Sequence, residues 1–291
     1  MTPVLLKSEA ALAQLRLDGL PRLTVLVGPA GIGKTQFSLE NFCRLLRETS
    51  HPFARDILYV LPSAEHRERI VDLMLRKEMK GFFGERVTTF NRLMRELLKG
   101  GDLSLVTDAE RRFLLEEIVP EHAGNYFSAV RDLPGFLEKF TEFVGELKDS
   151  LVSLEDFRRR VKALERARPE VREKYSALLQ IYEAYENRLE GMGAQDHRDG
   201  LFLLKEKIRQ GRFSQIRFRH LFVDGFFDFS KAQLEFLAWL AQGSDRLTLC
   251  LTLDPSKERE GLFEIPLQTL GELEKHGGGL YPGAVTEQRV S

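Results

Sequence analysis

The sequence predicts an α/β fold in which a parallel β-sheet is interrupted by an all-helical insertion. Three observations carry that reading. Short apolar runs with the look of strands, at 23–27, 56–61, 87–90, 221–223 and 247–253, alternate with stretches of helical spacing. Between about 101 and 189 almost nothing reads as strand. The first apolar run passes directly into the glycine-rich stretch GPAGIGKT and then into a helical pattern. Strands alternating with helices indicate a parallel sheet, whose ligands lie at the C-terminal ends of the strands.

Taken in order, residues 7–17 read as a short helix ahead of the first strand, LTVLV. After the glycine-rich turn, Phe37, Phe42, Leu45 and Leu46 share one helical face. The run DILYVL is apolar at nearly every position, as in a strand buried on both faces, and Pro62-Ser63 stops it. Residues 65–77 return to helical spacing, the β-prone VTTF follows, and 92–98 is helical again. In the insertion, Phe136, Leu137, Phe140, Phe143, Val144 and Leu147 form one stripe, and Tyr175, Leu178, Leu179, Tyr182, Tyr185 and Leu189 another. These stripes read as the core of a helical bundle rather than as base-stacking platforms. Ser153 to Asp156 has capping-box spacing and starts a helix. Arg158-Arg159-Arg160 reads as a solvated helix face and is a candidate phosphate contact. The strand Leu221-Phe222-Val223 ends in Asp224, a helix spans 230–240, and LTLCLTL is the last strand. The expected organisation is an α/β core over 1–100, the helical insertion over 101–199, a second part of the core over 200–260, and a polar tail over 261–291.

Composition bounds the function classes. The 291 residues suit about two domains, and 43% hydrophobic with 30% charged residues describes an ordinary globular chain. The formal net charge of −1 excludes a globally basic nucleic-acid binder, so a DNA contact must come from a local patch or a partner chain. Cys43 and Cys250, far apart and each in an apolar run, read as buried reduced thiols, which suits the cytoplasm. No apolar run of 18 residues occurs, so neither a membrane span nor a signal peptide is expected.

The chemistry concentrates in Gly28, Pro29, Ala30, Gly31, Ile32, Gly33, Lys34 and Thr35, the pattern G-x-x-x-x-G-K-[ST] of a P-loop NTPase. A triphosphate is polyanionic, and glycines let several backbone N–H groups approach it closely. The following helix adds the positive end of its dipole. Lys34 is placed to bridge the β and γ phosphates of ATP, and Thr35 to give its hydroxyl to Mg²⁺. Asp224, at the tip of a strand expected next to this loop, is the candidate second anchor for the metal.

The series GPAGIGKT, ILYVLPS, VTTFNRLMREL, LPGFLEKFTEFVGELKDS, YSALLQIYEAYENRLEG, DHRDGLFLL, LFVDGFFDFSKAQLEFLAWLAQ and LTLCLTLD resembles the N-terminal portion of AddB-type proteins. These belong to ATP-dependent helicase/deoxyribonucleases and are relatives of superfamily 1 helicases of the UvrD kind. The resemblance implies a helicase subdomain 1A-like core with a 1B-like helical insertion, ATP and Mg²⁺ as cofactors, and roles in DNA repair and recombination. It further implies DNA and an AddA-like helicase/nuclease subunit as partners. Asp224-Gly225-Phe226-Phe227-Asp228 matches the Walker B region, which reads D-E-F-Q-D in active helicases. Asp196 to Leu201 is similar to the D-F-D-D-L segment returning from the insertion, which argues against a metal site at Asp196, His197 and Asp199.

Gly225 stands where an active helicase has the glutamate that polarises water, and Phe227 replaces the glutamine. General-base help of this kind contributes typically about 10²- to 10⁴-fold, so nucleotide binding with slow or absent hydrolysis is expected, and no catalytic residue is assigned. Asp254 falls near the end of the motif III strand with no glutamine after it. Family members continue into a second helicase-like half and an iron–sulfur nuclease domain, so the chain reads as an N-terminal portion without a nuclease site. The alternative is a small-molecule kinase or regulatory P-loop switch. A kinase would need an acceptor pocket and a lid arginine cluster, and the VDGFFDF block speaks for the helicase relative instead.

Overall fold

The computed structural model describes residues 2–6, 8–49, 56–78, 85–98, 104–209, 217–252 and 288–289. The chain divides into two compact units. One comprises residues 1–93, 213–229 and 233–291, and the other 94–212 and 230–232.

The first unit begins with strand β1 (Thr2–Leu5), helix α1 (Glu9–Ala13), β2 (Leu23–Gly28), α2 (Lys34–Arg47), β3 (Ile57–Leu61) and α3 (Ala64–Leu73). It continues with β4 (Val87–Thr89) and the start of α4 (Phe90–Leu98). In the second unit come β5 (Ser104–Val106), α5 (Asp108–His122), α6 (Pro134–Asp149), α7 (Leu154–Ala167), α8 (Arg172–Gly191), β6 (Ala194–Asp196) and α9 (Gly200–Arg209). The chain then adds β7 (Phe218–Val223), α10 (Lys231–Gln242), β8 (Ser244–Thr252) and the two-residue β9 (Gln288–Arg289).

Seven strands form one sheet in the order β4-β3-β7-β8-β2-β1-β9, and every pairing in it is parallel. Burial explains the composition of its central strands. All five residues of β3 are buried, as are Leu221, Phe222 and Val223 of β7 and the stretch Leu247–Leu251 of β8. A strand covered on both faces must be apolar at consecutive positions. The core beneath α2 includes Leu26, Leu39, Phe42, Tyr59 and Phe222, with Phe42 edge-on to both Tyr59 and Phe222.

The sequence reading differs from the fold at three places. β1 pairs with the phosphate-loop strand, Thr2 opposite Thr24 through Leu5 opposite Val27, and the sequence reading, which begins with the helix at 7–17, assigns no strand there. Its four residues are too few to show a periodicity. The predicted adjacency of Asp224 to the loop strand is corrected as well. β8 lies between β2 and β7, and Asp224 follows β7. The segment 101–199 is not all-helical, because β5 and β6 form a separate two-stranded parallel sheet from Ser104 opposite Ala194 to Val106 opposite Asp196.

In the second unit, Phe140, Val144, Phe157, Val161, Ile181, Tyr182, Tyr185 and Leu189 are buried together, so the aromatic stripes pack a bundle core. Ser153 caps α7, its Oγ accepting from the Asp156 N–H at 3.1 Å. Beneath this core lies a buried ion cluster. Lys148 Nζ donates to Asp199 Oδ2 at 2.7 Å, lies 2.9 Å from Glu186 and 3.7 Å from Asp196, and Tyr185 donates to Asp196 at 3.0 Å. Arg111 also lies 3.4 Å from Asp196. Burial alone would lower the Lys148 pKa, but Asp199, Asp196 and Glu186 reverse that and hold it raised. Among the described residues, no helix is long and apolar enough to cross a membrane.

Candidate nucleotide site

The loop between β2 and α2 is built by its glycines. Gly31 and Gly33 have φ of +84° and +92°, and Gly33 is the left-handed residue that caps α2. An L side chain in that region costs roughly 1–2 kcal/mol, so a glycine there lets the chain reverse into the helix at little cost. The reversal aims the first N–H groups of α2 into a cleft of about 460 Å³.

That cleft is lined by Ala30, Gly31, Gly33, Lys34 and Thr35 from the loop, and by Asp224, Gly225 and Phe227 beyond β7. Cys250 and Thr252 of β8 complete it. Since β2, β7 and β8 run parallel, all these groups sit at the same edge of the sheet. Lys34 is buried, and its ammonium donates to the carbonyls of Gly28 at 2.8 Å and Pro29 at 2.7 Å. Burial lowers its pKa, while Cys250 and Asp224 act to raise it.

Asp224 is 4% exposed, and both its oxygens are engaged. Tyr59 on β3 donates its hydroxyl to Oδ2 at 2.7 Å, and the Gly225 N–H donates to Oδ1 at 2.8 Å. Burial and then Asp224 push the Tyr59 phenol well above its ordinary pKa, so it acts as a fixed donor. Gly225 is itself left-handed, φ +79°. Cys250 is buried, its thiol contacts Ser38 Oγ at 3.1 Å, and burial followed by Asp224 raises its pKa well above normal. It is a neutral packing group and not a nucleophile. Neither cysteine is in a disulfide.

Sequence reasoning named Gly28 to Thr35 and Asp224; of these, Ala30, Gly31, Gly33, Lys34, Thr35 and Asp224 line one cleft, while Gly28, Pro29 and Ile32 are not among its lining residues. It missed Tyr59 and Cys250. The signal available for Tyr59 was a single hydroxyl in the otherwise apolar run DILYVL. Of the arginine triplet, Arg158 is taken up by Glu155 and Glu183 and Arg159 by Asp156, leaving Arg160 exposed. Asp196 and Asp199 face Lys148. Asp254 lies outside the described residues, as does the His197 side chain.

Among the described residues, no three His, Cys, Asp or Glu side chains converge to hold a metal. A cation at this cleft would therefore complete its shell with water and phosphate oxygens, the habit of Mg²⁺. Thr35, Gln36, Asp224 and Thr252 bring side-chain oxygens to the cleft, Asp224 being the one carboxylate among them, so the donor set fits a metal that arrives with a nucleotide. A second cleft of about 670 Å³ adjoins through Gly33 and Gln36 and is lined by Leu12, Ala13, Ile32 and Phe37 among others.

Comparison with known proteins adds the decisive observation. The family described as "ADDB, N-terminal" matches residues 25–277. The chain belongs to this family. It is similar to the B-type component of the ATP-dependent helicase/deoxyribonuclease of Geobacillus kaustophilus, 29% identical over 86% of this chain and 22% of that protein. The protein of the same name from Bacillus subtilis is 28% identical over 81% of this chain and 21% of its own length. That of Carboxydothermus hydrogenoformans is 27% identical over 83% and 22%. The chain thus spans about a fifth of the length of these relatives. The ADDB assignment covers the phosphate loop from Val25 onward, the whole second unit, β7 and β8.

Proposed function

We propose that this ADDB N-terminal chain is an ATP-binding, helicase-like region of a DNA-repair helicase/nuclease, and that it takes up Mg–ATP but hydrolyses it slowly or not at all. One observation carries the reading: Lys34 and Asp224, remote in sequence, line a single cleft beyond the ends of parallel strands. In this role the loop presents the backbone N–H groups of Ala30 to Gly33 to the phosphates, and Lys34 exchanges its carbonyl partners for phosphate oxygens. Thr35 and Asp224 hold the Mg²⁺ that accompanies the nucleotide, a cation that neutralises phosphate charge. The neighbouring cleft, where Leu12, Ile32 and Phe37 stand beside polar groups such as Gln36 and Asn41, is of the right character for a base.

Slow turnover follows from Gly225, which brings no carboxylate to the place where water would be activated. The second unit is read as the counterpart of helicase subdomain 1B. DNA and a partner motor protein enter through the relatives' description as components of a helicase/deoxyribonuclease. Equilibrium titration of the chain with a fluorescent ATP analogue, with and without Mg²⁺, tests the proposal. Saturable binding strengthened by Mg²⁺ is expected, and the absence of saturation would refute it.

A further inference from the structure

In the sequence, Arg158-Arg159-Arg160 reads as a solvated helix face and a candidate phosphate contact, and carboxylates neutralise the first two. The uncommitted cations lie further on. Between Arg158 and Lys174 eight side chains are basic and three acidic, in a chain whose net charge is −1. Lys162, Arg166, Arg168 and Arg172 are all exposed. Among the described residues, none of the four has a carboxylate within ion-pairing distance, whereas the nearby Glu165 accepts from Ser176 Oγ.

Their placement is fixed. Lys162 and Arg166 are one turn apart on α7, on the side away from the buried Phe157 and Val161. Arg168 closes α7, its N–H donating to Leu164 at 2.8 Å, and its carbonyl accepts from Val171 at 3.2 Å in the short 3₁₀ turn Pro169–Val171. Arg172 opens α8 directly afterwards. The four cations therefore follow one edge around the α7–α8 corner.

We propose that this corner is a docking edge for the phosphate backbone of DNA. A row of exposed cations matches a polyanion with repeating charge. Three of the four are arginines, whose planar forks pair bidentately with phosphate. A protein interface would call for apolar or aromatic anchors at its centre. The large exposed hydrophobic residues of the described chain are Leu75, Phe113, Tyr126, Val130, Leu133, Met192 and Phe227, and none falls between 155 and 175. The choice of DNA among nucleic acids rests on the function proposed above, and the row of cations does not.

The test is anisotropy of a fluorescent oligodeoxythymidylate and of a fluorescent duplex against the 291-residue chain over a series of salt concentrations. The variant Lys162→Gln/Arg166→Gln/Arg168→Gln/Arg172→Gln is compared with a matched variant, Arg47→Gln/Arg69→Gln/Arg76→Gln/Arg95→Gln. All eight positions are exposed, so both proteins should fold. The corner variant is expected to lose at least tenfold in affinity at low salt. Its log–log salt slope should shrink by about 0.7 per lost single-strand contact, roughly three units for four, while the matched variant stays near wild type. Tighter wild-type binding of one probe then says whether the edge follows single strands or duplex. Absence of binding to either probe at low salt, or equal losses in the two variants, overturns the proposal; a partner with an acidic protein surface would then be the remaining class. Stabilisation by Mg–ATP, measured in parallel, reads the nucleotide site separately.

Discussion

Tyr59 donates to Asp224 at 2.7 Å, joining the middle of β3 to the residue after β7. The two are 165 positions apart, and the bond exists because Tyr59 is paired in register with Phe222. With the Gly225 N–H on the other oxygen, the carboxylate is oriented before any ligand arrives. Hydrogen bonds to charged groups contribute about 1.5–3 kcal/mol. Tyr59→Phe should therefore lower stability by about that amount and reduce the gain in nucleotide affinity given by Mg²⁺, while metal-free nucleotide binding changes little. Urea unfolding and titrations with and without Mg²⁺ check this, and an unchanged Mg²⁺ effect would separate Tyr59 from the site.

Gly225→Ala should destabilise the protein by about 1–2 kcal/mol, because φ is +79° there. Gly225→Asn should cost less, since asparagine tolerates this region better. Gly225→Glu carries the same backbone penalty, so restoring a carboxylate at this position works against the local conformation. Equal denaturation midpoints for the glycine and alanine proteins would refute the argument.

His220 is buried beside Thr248, its ring nitrogen 3.0 Å from the hydroxyl. Burial, then the charges of Arg246, Arg219 and Arg44, lower its pKa to about 3. The unfolded chain takes up this proton near pH 6.5 and the folded chain does not. The stabilising contribution is complete above about pH 6.5 and is lost as pH falls toward 3, by up to about 1.4 kcal/mol per pH unit. The stability difference between wild type and His220→Gln should thus shrink from pH 7 to pH 5. A constant difference would show that His220 titrates in the folded state as it does in the unfolded chain.

Lys148→Met should destabilise the helical unit by about 3–5 kcal/mol, the cost of leaving buried carboxylates without their cation. Adding Asp199→Asn removes one of those charges and should restore part of the loss. A double-mutant cycle by thermal unfolding measures the coupling, and strict additivity would mean that the pair contributes nothing as a pair.

The parts legible in the sequence are those dictated locally. Gly31, Gly33 and Lys34 announce the loop because backbone geometry and phosphate chemistry leave few substitutes, and the helical stripes follow from a period of 3.6. Contacts set by register across the sheet were hidden: nothing near Tyr59 names Asp224, and nothing near Asp224 says that β8 intervenes. Lys148 was equally silent, since a lysine on a helix reads as solvent-facing until Asp196 and Asp199 fold over it. β5 and β6 went unread because three residues are too few for alternation to show.

The most direct measurement is the melting temperature with and without Mg–ATP for the wild-type chain and for Lys34→Ala. At a nucleotide concentration about 100 times the dissociation constant, the wild type should gain roughly 2.7 kcal/mol, seen as a clear upward shift, and the variant essentially none. An equal shift in both proteins, or none in the wild type, would contradict the account.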